Sequence, residues 1–195
     1  PTLEQRYRFT YTFPLWMSPH DPEVLYAGSQ VVHRTRDGGT SWEVISPDLT
    51  RNDPATQGPS GGPITQEHTG PEMYSTLYVG AESPHTAAVL WAGSDDGLVH
   101  LTRDGGRTWT NVTPPGAPKW MRVSSVEPSR RDPATAYVTA NNYQMDDHRA
   151  YLFKTADFGR TWTSIAGGIP PGEFARVLRE DPVRRGLVDA GTEAR

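Results

Sequence analysis

The sequence predicts an all-β protein assembled from repeated four-stranded antiparallel units, about three and a half of them in 195 residues. Three observations carry that expectation. A glycine-turn phrase returns three times, short alternating apolar runs flank each copy, and helical periodicity of useful length is absent.

The phrase is "RTRDGGTSW" at 34–42, "LTRDGGRTW" at 101–109 and "KTADFGRTW" at 154–162, each fitting Thr-x-Asp-x-Gly-x-Thr/Ser-Trp. Before the copies stand "VVHRT", "LVHLT" and "YLFKT"; after them come "SWEVI", "TWTNV" and "TWTSI". Strand, tight glycine turn and strand make a hairpin. Asp37, Asp104 and Asp157 are expected to accept N–H bonds within their own turns, and Gly39, Gly106 and Gly159 to supply backbone angles that other residues resist. Trp42, Trp109 and Trp162 then open the returning strands, where each can bury roughly 150–250 Å². Burial and equivalence of the three rings are therefore expected.

Upstream, "SPHDPEVLYAGS" (18–29), "SPHTAAVLWAGS" (83–94) and "EPSRRDPATAYVTA" (127–140) align as a Pro-rich turn followed by a strand, with a partial fourth copy in "EDPVRRGLVDAGTE" (180–193). Before these turns lie further strand candidates at 6–17, 73–82, 120–127 and 173–180. The first, "RYRFTYTFPLWM", alternates with period two, although Pro14 suits only an edge strand or a bulge.

Four-stranded units repeating along a chain read as the blades of a β-propeller. The motif aspartates lie 67 and then 53 residues apart, the first spacing lengthened by an insertion at 46–72. The blades are expected at about 6–46, 73–113 and 120–166, with a partial fourth at about 173–193. Three and a half blades are expected to form an open arc rather than a closed ring, since closed propellers have four to eight. Asp189 stands where Tyr26 and Trp91 occur in the first two repeats, so the final ~15 residues are expected to pack poorly unless covered.

The composition bounds the function. With 19 Lys+Arg against 23 Asp+Glu the formal charge is −4, which argues against a nucleic-acid binder. No stretch approaches the ~20 apolar residues of a helical membrane span. Zero Cys removes disulfides and thiolate metal sites. The 19 Gly and 18 Pro suit many turns between short strands. Nothing at the N-terminus reads as a signal peptide, and no cofactor or metal constellation stands out; His20, His33, His85 and His100 sit in turns or on strands without metal-like clustering. Asn111-Val112-Thr113 is formally a glycosylation acceptor, but it lies at a strand end before Pro114.

The repeated phrase resembles the Asp-box, or bacterial neuraminidase repeat, of sialidases, xyloglucanase-type glycosidases and sortilin-type propellers. The larger pattern, including "GSDDGLVHLTRDGGRTWTNVTPPG" and "DDHRAYLFKTADFGRTWTSI", resembles large exported bacterial propellers of the glycosyl-hydrolase-like kind, from about Arg6 to Glu193. The resemblance implies a propeller whose Asp-boxes hold the turn between the third and fourth strand of each blade, and an extracellular or periplasmic location. Neither the sialidase pattern, an arginine cluster with a Tyr/Glu nucleophile pair, nor a xyloglucanase acid/base pair is matched residue by residue.

Antiparallel connectivity sorts the loops. The Asp-boxes and Pro-rich turns share one face, while the insertion 46–72 and the loops at 94–97, 113–120, 141–149 and 167–174 share the other. Rich loops on a rigid scaffold are where function usually sits. The candidate ligand face comprises Trp120, Tyr143, Asp146, Asp147, His148 and Arg149, with Asp95 and Asp96 supplying more acid. These offer aromatic platforms, carboxylates, a cation and a titratable ring, groups that hold a sugar or an extended polar polymer. A glycosidase needs two carboxyls about 5–5.5 or 6.5–9.5 Å apart, and sequence neighbours such as Asp146 and Asp147 usually point apart. Three functional classes follow: non-catalytic binding or scaffolding within a larger exported protein, a glycosidase acting on polysaccharide, and an assembly or stability factor. The partners expected are carbohydrate or protein, together with remaining blades of a longer parent chain or a second arc of the same kind.

Overall fold

The computed structural model describes residues 5–58 and 73–193; the remainder of the expected insertion, 59–72, lies outside the described residues. Three four-stranded antiparallel sheets follow one another in chain order: β1 (Leu15–Met17), β2 (Leu25–Gly28), β3 (Val32–Thr35) and β4 (Glu43–Val44); β5 (Leu77–Glu82), β6 (Leu90–Ser94), β7 (Val99–Thr102) and β8 (Thr110–Asn111); β9 (Arg122–Pro128), β10 (Ala136–Asn142), β11 (Asp147–Thr155) and β12 (Thr163–Ser164). A two-stranded sheet of β13 (Ala175–Glu180) and β14 (Val188–Thr192) completes the arc. No α-helix occurs among the described residues. The chain is a β-propeller of three and a half blades, as its repeats predict.

A sheet with a neighbour on each side is buried on both faces, because alternate side chains point to opposite neighbours. In β6, Leu90 and Ala92 join Tyr26, Val32 and Leu77 in the core between blades 1 and 2. Trp91 points the other way, into a core with Val123, Val126 and Val138 of blade 3. Tyr137 and Leu152 of blade 3 meet Ala175 and Leu178 of the half-blade in the same manner. The first strands lie innermost and line a groove of about 700 Å³, with Trp16, Glu82, Ser125, Glu127 and Arg179 along its wall.

Two glycines let these first strands approach. A Cβ on Gly80 of β5 would collide with the Trp16 ring of β1, and one on Gly93 would collide with Val123 of β9. Trp16 also stacks on Tyr26 at 5.3 Å, so the ring is clamped between its own blade and the next.

The stretch 6–17 departs from expectation. Only Leu15–Met17 is strand; Thr10 makes an isolated bridge, and the chain before Pro14 crosses blade 1 instead. Proline has no N–H to give a ladder. Its carbonyl still accepts from Gly28 N–H at 3.0 Å, and Tyr7 and Phe9 go on to pack against His33. The end of the half-blade packs only in part: no residue from 181 to 193 is buried, and Val183 is 87% exposed. Val188 and Ala190 join the Tyr137 cluster, while Asp189 points outward on the exposed side, so the acid costs the core nothing.

The three turns are near copies. Thr35, Thr102 and Thr155 each donate the hydroxyl to Oδ1 of the motif Asp, at 2.8, 2.8 and 2.9 Å. The same hydroxyl oxygens accept from Gly39, Gly106 and Gly159 N–H at 3.0, 3.0 and 2.9 Å. Each Asp Oδ1 accepts the N–H of Ser41, Thr108 or Thr161 at 2.9 Å. Each Oδ2 accepts that residue's hydroxyl at 2.6 Å. The aspartates therefore hold turns, as expected, and the buried threonine two residues earlier is an equal member of the network. The second turn position is left-handed in all three; Gly38 and Gly105 fill it in the first two, but Phe158 takes φ 60° in the third, with its ring 4.0 Å from the Arg103 guanidinium.

The tryptophans are not equivalent. The Trp109 indole N–H donates to the Ile45 carbonyl at 2.9 Å, and that of Trp162 to the Val112 carbonyl at 2.8 Å, each reaching the fourth-strand end of the preceding blade. Both rings are half-buried. Trp42 bonds instead to Gly39 of its own turn and is 43% exposed. Its burial depends on a neighbouring blade, and no blade among the described residues flanks it on that side.

Candidate binding face

The loops connecting second to third strands, and fourth strands to the following blade, gather at one end of the sheets. They bring the expected residues together in two groups rather than one. In the first, Trp120 takes the left-handed conformation, φ 69°, which is unfavourable for a bulky side chain. Arg51 and Lys119 lie over its ring at 5.3 and 4.8 Å, and Tyr74 stands 6.3 Å away. Cations over an aromatic face are attracted by its quadrupole.

Asp95 and Asp96 belong to this group but do not serve as free acids. Both are buried. Asp95 accepts the N–H and hydroxyl of Thr76 at 2.9 and 3.0 Å, tying the approach to β5. Burial pushes its carboxyl up to about 7 in spite of those bonds. Asp96 accepts the Ser94 hydroxyl at 2.6 Å and the Arg51 N–H at 2.8 Å, pinning the exit of blade 1 to blade 2. The Arg51 guanidinium is held in turn by the Asp96 carbonyl at 2.7 Å, which sets it beside Trp120.

The second group is built on a 3-10 turn, Tyr143–Met145, between β10 and β11. Tyr143 stacks on Phe174 at 4.7 Å, and the Arg176 guanidinium lies within 5.3 Å of both ring centres. His148 stands 5.9 Å from Phe174 and 3.7 Å from the fully exposed Asp146. Asp147 is committed: both oxygens take the Arg149 guanidinium, at 2.8 and 2.9 Å, and Oδ2 accepts the Tyr151 hydroxyl at 2.5 Å. Those contacts, the Arg149 bond foremost, hold its carboxyl well below the usual range.

Arg51, Lys119, Tyr74, Phe174 and Arg176 were not singled out by the sequence. Phe174 sits in a loop that the connectivity assigns to this face, but its 31-residue separation from Tyr143 leaves no local signal. A third feature lies in the innermost groove. Glu82 is buried, with both carboxylate oxygens lacking a full hydrogen-bond partner although the Ser18 and Tyr26 hydroxyls stand beside it; burial raises its pKa. Its counterpart Glu180 shows the completed contact, accepting the Ser129 hydroxyl at 2.8 Å and the Arg130 N–H at 2.9 Å.

No family model matches the sequence, and no curated protein does. Solved structures do. The chain resembles a GH74 xyloglucanase from Xanthomonas campestris with a TM-score of 0.64 and 21% identity, over 93% of this chain and 26% of that one. An ancestral GH74 enzyme gives 0.56 and 12%, over 83% and 19%. The GH74 enzyme of Niastella koreensis gives 0.51 and 18%, over 77% and 22%. The chain thus spans about a fifth to a quarter of these proteins, and at such identity the likeness establishes the fold alone, that of a β-propeller.

Proposed function

We infer that this chain is a non-catalytic binding or scaffolding segment of a larger, exported glycosyl-hydrolase-like propeller, and that its glycine turns are Asp-boxes with a structural role. One observation carries the reading. On the loop face the half-buried Tyr143 and Trp120 keep part of their rings in solvent, while Asp95, Asp96 and Asp147 are each consumed by protein partners and Asp146 is solvated beside His148. Hydrolysis by paired carboxyls needs one acid and one base or nucleophile at a fixed separation, whereas stacking needs only exposed rings. Tyr143, backed by the buried Phe174, and Trp120 with its two cations are the part-exposed rings available for it. Carbohydrate is the ligand class that stacks on aromatics and hydrogen-bonds to flanking arginines, and the Xanthomonas neighbour is named a xyloglucanase. A screen of the purified chain against immobilised glycans and soluble polysaccharides, read for both binding and reducing-end release, tests this; retention without release is the expected result.

The glycosidase reading has one observation in its favour, the raised carboxyl of Glu82 on the wall of the innermost groove. Its neighbour in the groove, Glu127, is paired with Arg179 at 3.3 Å. Polysaccharide cleavage that disappears in Glu82→Gln would favour that reading over ours.

A further inference from the structure

Two contacts inside the molecule show how one blade receives the next. At the first, Trp109 donates to the Ile45 carbonyl, and a Cβ on Gly106 would strike that same oxygen at 2.5 Å. At the second, Trp162 donates to the Val112 carbonyl, and a Cβ on Gly159 would strike the Val112 side chain at 2.7 Å. In both, the turn glycine and its tryptophan form a socket, and the plug is a β-branched aliphatic residue at the end of a fourth strand, with its carbonyl facing the indole.

Blade 1 carries the same socket with no plug. Gly39 holds the left-handed conformation of its counterparts, yet a Cβ there would meet only the Trp42 ring, at 3.8 Å. Leu90 of blade 2 is fully buried, whereas its equivalent Leu25 is half-exposed; Leu15 and Val44 are also exposed on blade 1. A groove of about 510 Å³ runs along this face between Leu15, Leu25, Trp42 and the N-terminal residues Phe9 and Phe13. Tyr7 and Phe9 cover the face only at its loop end, over His33.

We propose that this face of blade 1 docks a further four-stranded blade of the same repeat, formed by polypeptide outside these 195 residues, whose fourth strand ends in a β-branched aliphatic residue and offers its carbonyl to Trp42. The occupant follows from continuity with the two interfaces already present. A second copy of the chain does not fit. Its Ile45 and Val112 carbonyls already accept indoles, and beside Ile165, its remaining fourth-strand end, β13 and β14 pack on Tyr137 and Leu152, where β1 and β2 of an incoming blade 1 would have to lie. The socket is shaped for a strand end and its surroundings are apolar, so a soluble polar ligand is not its natural occupant.

The test uses the whole chain and an extended form in which a duplicate of residues 73–113 precedes Gln5, so that 5–14 serves as the linker. In the 195-residue chain, Trp42→Ala should lower the melting temperature far less than Trp109→Ala. In the extended chain the two substitutions should lower it by similar amounts, and Trp42→Phe should reproduce part of the loss. An extended chain no more stable than the original, or one indifferent to Trp42→Ala, overturns the proposal. A second measurement does not depend on the extension. Indole N–H exchange in the 195-residue chain should be fast at Trp42 and slow at Trp109 and Trp162. Slow exchange at Trp42 also overturns it: in a monomer by light scattering because the chain covers its own socket, in a dimer because the occupant is a second copy.

Discussion

The Trp109 indole and the Ile45 carbonyl are 2.9 Å apart across 64 residues of sequence, and this single bond joins the fourth strand of one blade to the glycine turn of the next. Trp109→Phe keeps most of the apolar contact but leaves that carbonyl without its donor, and should cost about 1–3 kcal/mol. Trp109→Ala should cost about 3–5 kcal/mol, the range for deleting a large packed aromatic. Denaturant melts of both variants check the values; equal losses would mean that the bond contributes nothing beyond the ring.

The turn aspartates make the fold acid-sensitive in a defined window. Asp37, Asp104 and Asp157 are held down to about 2, first by the hydroxyl of Ser41, Thr108 or Thr161 and then by that residue's N–H. A carboxyl whose folded pKa lies below its unfolded value stabilises above the unfolded pKa and loses that contribution as pH falls through the folded one. Melting temperature should therefore decline between about pH 4 and pH 2, and less steeply in Asp104→Asn. Thr102→Val, which removes the shared hydroxyl, should lower stability at neutral pH; an unchanged melt would separate the threonine from the network.

Glu82 has the opposite sign. Burial raises its folded pKa, so it favours the fold most at low pH and loses that advantage as pH rises through the raised value. Glu82→Gln should raise the melting temperature at pH 7.5 and give no gain at pH 4. A variant less stable at both pH values would show that Ser18 and Tyr26 hold the carboxylate more firmly than its missing partners indicate.

Gly80 should tolerate no side chain while Trp16 is present. Gly80→Ala should cost about 1–3 kcal/mol by overpacking. Trp16→Leu should recover part of that loss in the double variant, so a double-mutant cycle with no coupling would place the collision elsewhere.

The parts legible in the sequence are those fixed by short-range chemistry. Thr35 to Trp42 contains every donor and acceptor of its turn, so three copies sufficed to read hairpins, blades and their order. The exposure of Trp42 was not legible, because burial of that ring depends on a flanking blade and none lies on that side among the described residues. The strand at 6–14 was misread because its alternation serves a crossing segment packed on His33. Asp95 and Asp96 looked like free acids because the groups that satisfy them, Thr76 and Arg51, lie 19 and 45 residues back. On the loop face the sequence named Tyr143 and Trp120 but not Phe174, Arg176 or Arg51, whose placement is purely tertiary.

Titration of the purified chain with soluble xyloglucan, following heat of binding and reducing-end release together, tests the binding reading most directly. Wild type should bind without releasing reducing ends, and Trp120→Ala/Tyr143→Ala/Arg176→Ala should lose at least tenfold in affinity while its melting temperature stays close to that of wild type. Unchanged affinity in the triple variant, or steady release of reducing ends by the wild type, would contradict a non-catalytic binding face formed by these residues.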